Sequence, residues 1–340
     1  MTARGLLGSA WGLAVAAAAG LGAQTTSALR PVATYSIVAR DSVTGEIGVA
    51  VQSHWFSVGP IVAWAEAGVG AVATQSFIEP AYGPLGLELM RLGRGAPDAL
   101  RALVSTDRDE AVRQVAMIDA QGRVAAHTGA RAIQAAGHHT GAQYSVQANL
   151  MGRASVWPAM ARAYETTPGD LADRLLAALE AAEREGGDIR GRQSAALVIV
   201  AGQSTGRPWT DRRFDLRIED HPDPIAELRR LVLLARAYRK LNEGDEWMTR
   251  NDLAQAMGAY REATTIVPDA ATNGEAAFWT GITLAGAGRE ADALRYLRRA
   301  YAADRRWAEL VGRLPASGLL PADTALAQRL VAGMKGGGRR

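Results

Sequence analysis

The sequence predicts an α+β fold, in which sheets covered by helices are followed by a segment that is helical throughout. Residues 34–220 have strand-like runs at both ends and helical spacing between them. This order is typical of sheets covered by helices, either in two layers or stacked in four. At His221–Pro224 two prolines restrict the chain, and every later pattern is helical.

The first strands are predicted by alternating β-branched and aromatic residues. Thr34–Asp41 and Ile47–His54 flank the turn-forming letters SVTGE, so we expect them to form a hairpin. Ile61–Gly68 and Val69–Phe77 are expected to extend the same sheet. Because the second of these runs is apolar without a break, it indicates a strand that is covered on both faces.

Helical and strand periods then alternate along the chain. Leu and Met recur at helical spacing in Gly83–Gly95 and Ala96–Asp107. The period returns to two in Arg113–Gly129, where we expect a hairpin that turns at Asp119–Gly122. Further strands are expected at Tyr144–Met151, Ser194–Gly202 and Asp215–Asp220, and further helices at about residues 154–164 and 168–185.

The beginning of the chain is typical of an exported protein. Arg4 precedes the apolar run Leu6–Leu21 and the small residue Ala23, so residues 1–23 are interpreted as a signal peptide. The alternative is an anchor helix, although a run of about 16 residues is shorter than the ~20 that span a bilayer. Residues 24–33 are interpreted as a linker or pro-segment, and a cut after Ala33 would expose Thr34. We therefore expect an exported protein, periplasmic or secreted.

The chain after residue 224 is predicted to be an all-α annex. We assign residues 34–224 to the mixed domain and 225–335 to the helical region, with a long amphipathic helix at Leu228–Leu241. Two sets of residues recur at an offset of 37, and in the second unit Gly281 and Gly288 precede the set at the spacings of a tetratricopeptide-like hairpin, which the first unit matches less well. The sets are Ala256, Tyr260 and Ala263, and Ala293, Leu297 and Ala300. An ordinary helical hairpin and a surface that binds a protein partner both remain open.

Composition excludes several classes of function. The 38 Lys and Arg residues against 35 Asp and Glu leave a net charge of +3, which does not predict nucleic-acid binding. With no cysteine, the chain has neither a disulfide nor a thiolate nucleophile. His138 and His139 are expected in an exposed glycine-flanked turn, and no pair of histidines has metal-ligand spacing, so we predict no metal site. No phosphate-binding loop, dinucleotide fingerprint or serine-hydrolase elbow is present.

Thr34 is the candidate nucleophile that these exclusions leave. A threonine at a free N-terminus needs no histidine, because its hydroxyl attacks a carbonyl while its own α-amine serves as general base. An α-amine has a pKa near ~7.7, so about one sixth of it is already unprotonated at pH 7. Ser36 faces the same way and is the second candidate. The alternative for Thr34 is an ordinary β-branched residue that begins a strand.

A resemblance to a known family supports the first interpretation. TYSIVARDSVTGEIGVAVQS, AGVGAVATQS and DLRIEDHPDPIAELRRL are three of seven ordered blocks between Thr34 and Leu234. These blocks resemble the Ntn-hydrolase-like family called domain of unknown function 1028. The resemblance implies a four-layer αββα sandwich and the N-terminal-nucleophile (Ntn) superfamily, whose enzymes hydrolyse amide bonds. It also implies that Thr34 matches the threonine that many relatives expose by removing Met.

Chemistry assigns roles to polar residues in the matching blocks. Asn149, Gln147 and the amides near Thr74 and Gln75 are candidates to stabilise an oxyanion. The remaining candidates are Ser53 and Ser194 to hold the α-amine, Asp41 together with Arg40 to orient it, and Arg192 to bind a substrate carboxylate. Each also has an ordinary structural interpretation: a buried amide for Asn149, a turn cap for Asp41 and a solvated strand entry for Arg192.

The sequence therefore predicts an Ntn-type amidohydrolase that opens a small or peptide-like amide through an acyl-enzyme on Thr34, without a cofactor. Its expected partners are that substrate, a further copy of the chain in a homo-oligomer, and a possible protein at the C-terminal helices, with no nucleic acid. The alternative is a non-catalytic binding protein that uses the same sandwich and annex to recognise a partner.

Overall fold

The computed structural model describes residues 34–336, so the predicted signal peptide and linker lie outside the described residues. Within this range ten strands form two antiparallel sheets, which confirms a mixed α+β fold. The six-stranded sheet has the order β10-β9-β2-β1-β8-β7. Its strands are β1 (Thr34–Arg40), β2 (Ile47–Ser53), β7 (Gly137–Gly141), β8 (Tyr144–Asn149), β9 (Ser194–Val200) and β10 (Arg212–Ile218). The four-stranded sheet has the order β3 (Ala63–Glu66), β4 (Gly70–Ser76), β5 (Arg113–Asp119) and β6 (Val124–Thr128).

The predicted hairpin of β1 and β2 is confirmed, and its turn has a clear local cause. The backbone amides of Val43 and Thr44 donate to the Asp41 carboxylate at 2.9 and 2.8 Å. Gly45 follows with φ of 75°, a left-handed conformation that suits glycine. The chain therefore reverses within a few residues, and Thr34 lies directly opposite Ser53.

Two strand predictions need correction. Residues 61–77 do not extend the first sheet, because β3 and β4 pair with each other and with β5 in the four-stranded sheet. His138 and His139 lie in strand β7 on the edge of the six-stranded sheet rather than in a turn. The expectation that β4 is covered on both faces is confirmed, since all seven of its residues are buried.

Helices complete the described chain. They are α1 (Gly59–Val62), α2 (Tyr82–Arg91), α3 (Ala96–Val104), α4 (Val156–Thr166), α5 (Leu171–Arg184), α6 (Pro208–Asp211), α7 (Pro224–Thr249), α8 (Leu253–Ile266), α9 (Glu275–Gly286), α10 (Glu290–Ala303), α11 (Trp307–Val311) and α12 (Thr324–Lys335). No helix between residues 34 and 336 combines the length and the hydrophobicity needed to cross a bilayer.

Three apolar clusters show how the elements of the mixed region pack. One face of the six-stranded sheet is covered by α4, α5 and the first half of α7. Its other face contacts the four-stranded sheet through Val38, Val49 and Ala73. The far face of the four-stranded sheet is covered by α2 and α3, around Val72 and Met117. Helices therefore cover the outer face of each sheet, and the inner faces of the two sheets contact each other.

Helix α7 connects the mixed region to the remaining helices, and it is longer than the predicted Leu228–Leu241. It begins where the Asp223 side chain accepts a hydrogen bond from the Ala226 amide at 3.4 Å, an N-cap followed by proline. Its Leu228 is buried against the six-stranded sheet, whereas Leu241 belongs to a separate core formed by the C-terminal helices.

Candidate functional site

A row of four polar side chains crosses one end of the six-stranded sheet. In the strand register Thr34 lies opposite both Ser53 and Asn149, and Ser53 lies opposite Ser194. Residues opposite each other in an antiparallel pair point to the same face. Val38, four residues after Thr34, lies in the core between the sheets, so this row faces the second sheet. All four residues are fully buried.

A second polar row on the four-stranded sheet faces the first. Gln75, Gln114 and Thr128 lie opposite one another in neighbouring strands. The side-chain amide of Gln75 donates to the carbonyl oxygen of Thr34 at 3.2 Å, so the two rows meet at Thr34. We call the two rows together the inter-sheet polar site.

Thr34 is held on two sides within this site. Its hydroxyl donates to the Ser53 hydroxyl at 3.3 Å. Its carbonyl oxygen accepts hydrogen bonds from Gln75 Nε2 and, at 3.4 Å, from Asn149 Nδ2. The structure thus brings together four of the residues that the sequence predicted, and it orients the main chain at the first position of β1.

Gln114 is the centre of the network, and sequence reasoning missed it. Its Oε1 accepts from Gln75 Nε2 at 2.6 Å and from Asn149 Nδ2 at 3.0 Å. Its Nε2 lies within 3.2 Å of the Thr128 hydroxyl and of two backbone carbonyl oxygens. A signal was present: Gln114 shares a strand face with Ala116 and Ile118, which predicts an amide buried among apolar residues.

A further polar layer lies one row deeper between the sheets. The Ser36 hydroxyl donates to Gln75 Oε1 at 2.6 Å and accepts from Gln147 Nε2 at 2.6 Å. Gln147 in turn accepts from the Ser145 hydroxyl at 3.1 Å. Gln147 therefore supports Ser36 and Gln75 instead of contacting Thr34, and Ser36 is already bound as both donor and acceptor.

Ser194 belongs to the first row and Arg192 lies two residues before it, but both side chains are engaged with partners other than Thr34. The Ser194 hydroxyl donates to the Trp55 carbonyl and accepts from the Val58 amide, so it holds the loop after β2. The Arg192 guanidinium pairs with Glu183 at 2.7 Å and with Asp223 at 3.4 Å. To bind a substrate carboxylate as predicted, Arg192 would have to break its ion pairs with Glu183 and Asp223.

Thr74 and Asp41 are not brought to Thr34. The Thr74 side chain points to the helix-covered face of β4, and its hydroxyl donates to the Glu79 carbonyl at 3.1 Å. Asp41 follows the opposite end of β1, about 20 Å away for a strand of this length. Burial raises the pKa of Asp41, but hydrogen bonds from Thr44 and Val43 and the charge of Arg174 lower it overall. Asp41 is thus the turn cap, and contact with a Thr34 amine is excluded in this arrangement.

Three residues at or just after the ends of strands that carry part of the site have the left-handed conformation. Ser57, Ser76 and Leu150 have φ of 54°, 72° and 57°. Ser57 and Leu150 come after β2 and β8, and Ser76 is the last residue of β4. This conformation costs about 1–2 kcal/mol for a residue with a side chain. In the described part of the chain Asn149 Oδ1 of the site is also buried without a hydrogen-bond partner; other such atoms lie elsewhere, among them the Ser76 hydroxyl on the helix-covered face of β4. Strain and unsatisfied polar atoms concentrate at ligand-binding and catalytic sites.

The histidines contribute little to this site. Within residues 34–336 no group of three or more His, Asp or Glu side chains is placed to hold a metal ion. His138 Nδ1 lies 2.8 Å from the Thr128 hydroxyl at the edge of the second row. Burial lowers the pKa of His138, and the neighbouring His127 and His139 lower it further.

The family of the chain follows from comparison with known proteins. Residues 34–228 match the family described as "Family of unknown function (DUF1028)", and because the match covers more than half of the chain, the protein belongs to this family. A crystal structure of a Silicibacter pomeroyi protein assigned to the same family is similar, with 34% sequence identity and a TM-score of 0.54. The similarity covers 60% of this chain and 86% of that protein. Among curated proteins no significant match is found.

Proposed function

We propose that this protein is an exported Ntn-type amidohydrolase whose nucleophile is the Thr34 hydroxyl. The observation that carries the proposal is the place of Thr34: it begins a central strand, between two sheets, where two buried polar rows meet. The packing of helices on both outer faces of the paired sheets supports the four-layer αββα sandwich that the Ntn superfamily uses. Hydrolysis of the 33–34 peptide bond would release the α-amine.

The chemistry needs only the groups of Thr34, an amide substrate and water. The hydroxyl oxygen attacks the substrate carbonyl carbon while the α-amine takes the hydroxyl proton. Collapse of the tetrahedral intermediate breaks the C–N bond, and the α-ammonium gives its proton to the departing amine. Water then attacks the resulting ester with the α-amine again as base, which releases the acid and restores the hydroxyl.

Asn149 is the best candidate to hold the released amine. Its Oδ1 is buried and has no hydrogen-bond donor in the described chain, while its Nδ2 lies beside the Thr34 carbonyl. An α-ammonium at residue 34 would supply the donor that this oxygen lacks, and hydrogen bonds to charged groups are worth ~1.5–3 kcal/mol. Ser53 would hold the other reacting group, because its hydroxyl accepts a hydrogen bond from the Thr34 hydroxyl.

The predicted oxyanion donors take a different role in the proposal. Asn149 Nδ2 and Gln75 Nε2 each donate to both the Thr34 carbonyl and Gln114 Oε1. An amide NH₂ group has two hydrogens, so neither side chain has a donor left for a substrate oxygen. We therefore assign both as positioning residues that hold the main chain of residue 34, and leave the oxyanion to backbone amides near Gln75.

The C-terminal helices fit a tetratricopeptide-like annex in this proposal. All six residues of the two recurring sets are buried, and they belong to one apolar core. The first set lies on α8 and the second on α10, each preceded by a helix that packs against it. Units of this kind bury their apolar face only when they stack on a neighbouring helix. Helix α7 would be that neighbour here.

Intact-mass analysis of the mature exported protein tests the proposal most directly. We expect a mass that begins at Thr34 and covalent labelling by an amide-reactive acylating probe. Thr34→Ser, which keeps both hydroxyl and amine, should retain partial labelling, whereas Thr34→Ala should lose it while keeping the thermal unfolding midpoint. A mature form that begins at Gln24 and is not labelled would support the binding protein instead. Unchanged labelling of Thr34→Ala would place the nucleophile elsewhere.

A further inference from the structure

An open groove of about 810 Å³ lies between α8 and α10, far along the chain from the inter-sheet polar site. Its floor is apolar, with Leu253 and Met257 from α8, Leu284 from α9 and Tyr296 from α10. Met257 and Leu284 are buried, and the other two are half-buried. The groove can therefore accommodate apolar side chains of a ligand without exposing further core.

The rim of the groove has an excess of positive charge. Four arginines line it, and Asp292 is the one acidic residue among its lining residues. Arg289 binds Asp292 through two nitrogen atoms, at 3.0 and 2.6 Å. Arg299 binds Asp269 in the same way, at 2.9 and 2.8 Å. These two cations are thus already neutralised by their own neighbours.

The other two arginines have no acidic partner. Arg261 and Arg295 are exposed, and neither forms an ion pair with any residue of the described range 34–336. Arg261 Nε donates to the Met257 carbonyl at 3.1 Å, which orients its guanidinium group. The acidic neighbour Glu262 is bound to Lys240 at 2.9 Å and does not neutralise Arg261. Two unneutralised guanidinium groups therefore border an apolar floor.

We propose that this groove binds a short acidic peptide segment of a partner protein. An apolar side chain of the segment would occupy the floor beside Met257, and its carboxylates would pair with Arg261 and Arg295. Guanidinium groups suit carboxylates because their planar donors can bind both oxygens at once. Binding at this groove does not depend on the chemistry proposed for Thr34.

The same features argue against two other occupants. Nucleic acid is favoured by many cations along one face, whereas this groove has two unpaired cations and an apolar floor. A membrane surface is favoured by a protruding amphipathic helix, whereas here the apolar residues lie in a recess between helices. An acidic segment with an apolar anchor satisfies both the charge and the shape of the groove.

The test selects ligands for the full-length protein from a random short-peptide library. We expect enriched peptides to combine at least two Asp or Glu with an apolar residue, and their binding to weaken as salt rises. Enrichment of neutral or basic peptides, or of none, would overturn the proposal. Competition by double-stranded DNA at equal charge concentration would overturn it too, because it would show a general polyanion site.

Charge reversal locates the binding on the protein. Arg261→Glu combined with Arg295→Glu should weaken a selected peptide by about tenfold or more, since two charge-assisted contacts are lost. The same peptide with Lys in place of Glu should bind this variant better than it binds the unmodified protein. Arg305→Glu is the matched control, because Arg305 is an exposed arginine shortly after α10 that does not line the groove. It should change affinity by less than about twofold. Equal losses in the control and the double variant would refute the assignment, and the milder pair Arg261→Gln and Arg295→Gln serves if the reversal unfolds the protein.

Discussion

The hydroxyl of Thr34 lies 3.3 Å from the hydroxyl of Ser53, its direct neighbour across the β1–β2 pair. Both side chains are fully buried between the two sheets. The contact follows from the tight turn at Asp41, which fixes the register of the hairpin. Because Ser53 already orients the Thr34 hydroxyl, that hydroxyl loses little orientational freedom when it reacts. We therefore expect Ser53 to increase the rate of acylation.

Ser53→Ala tests that expectation. The variant should lower the rate of probe acylation by about 10- to 100-fold, the equivalent of one strong hydrogen bond in the transition state, with little change in KM. The measurement compares single-turnover acylation of the two mature proteins. Ser145→Ala is the matched control, because Ser145 is an equally buried serine of the deeper polar layer, where it contacts Gln147 and not Thr34. Equal rate losses in both variants would mean that these buried hydroxyls matter only for folding.

Gln114→Leu tests whether the network supports the site as a unit. The change removes the acceptor of Gln75 Nε2 and Asn149 Nδ2, two buried donors. We expect the free energy of unfolding to fall by about 2–4 kcal/mol, because each unsatisfied group costs ~1–3 kcal/mol. Urea denaturation measures the loss. Gln121→Leu in the exposed β5–β6 turn is the control and should change stability little; a loss as large there would refute the special role of Gln114.

How much of this site the sequence predicts depends on the alternation of side chains along each strand and on how far apart in the chain the contacting residues are. Strand alternation predicts which face a residue points to, so Thr34, Ser53 and Asn149 could be placed among strands that lie close together. It does not predict which sheet a strand joins, so the expectation that residues 61–77 extend the first sheet is wrong. The partners of Gln114 belong to both sheets, so they are fixed only when the sheets pack.

Asp41 shows a second limit of sequence reasoning. It follows the candidate nucleophile by seven positions, which appears close in sequence but spans the whole of β1. An extended strand places its two ends as far apart as a chain of that length allows. A residue near in sequence is thus distant in space, whereas Asn149, 115 positions away, lies beside Thr34.

The ion pair of Arg113 and Asp107 gives a prediction that depends on pH. Arg113 is buried, binds Asp107 at 2.8 Å and donates to the Phe77 carbonyl at 2.7 Å, directly after strand β4. Asp107→Asn leaves the guanidinium without its closest counter-charge, so we expect unfolding free energy to fall by about 3 kcal/mol at neutral pH. Thermal and urea unfolding measure the difference.

The sign of the pH effect follows from the carboxyl group. Burial raises the pKa of Asp107, but hydrogen bonds from Arg113 and from the Asp109 amide, with the charge of Arg113, lower it below its ordinary value of 3.8. A folded-state pKa that is lowered contributes stability above the unfolded value, and this stability is lost as pH falls through the folded value. The difference between wild type and Asp107→Asn should therefore stay constant above about pH 5 and shrink below pH 3.8. Asp98→Asn, which breaks an exposed pair with Arg101, should show an effect below about 0.5 kcal/mol at every pH. A difference that grows on acidification would contradict the assignment.

Replacing glycine with alanine is expected to have opposite effects at two positions in the C-terminal helices. A Cβ at Gly281 of α9 would lie 2.6 Å from Leu297 Cγ and 3.1 Å from the Ala293 carbonyl oxygen, so Gly281→Ala forces α9 away from α10. We expect a loss of about 1–3 kcal/mol in unfolding free energy, typical of overpacking in a close contact. Gly258 of α8 has no atom within 4 Å of the same position, so Gly258→Ala should stabilise by about 0.5–1 kcal/mol through helix propensity alone. Urea denaturation of both variants tests the pair, because loss of packing and gain of propensity have opposite signs. Stabilisation by Gly281→Ala would show that α9 and α10 do not pack at this distance, and the correspondence between the two helical sets would then lose its structural basis.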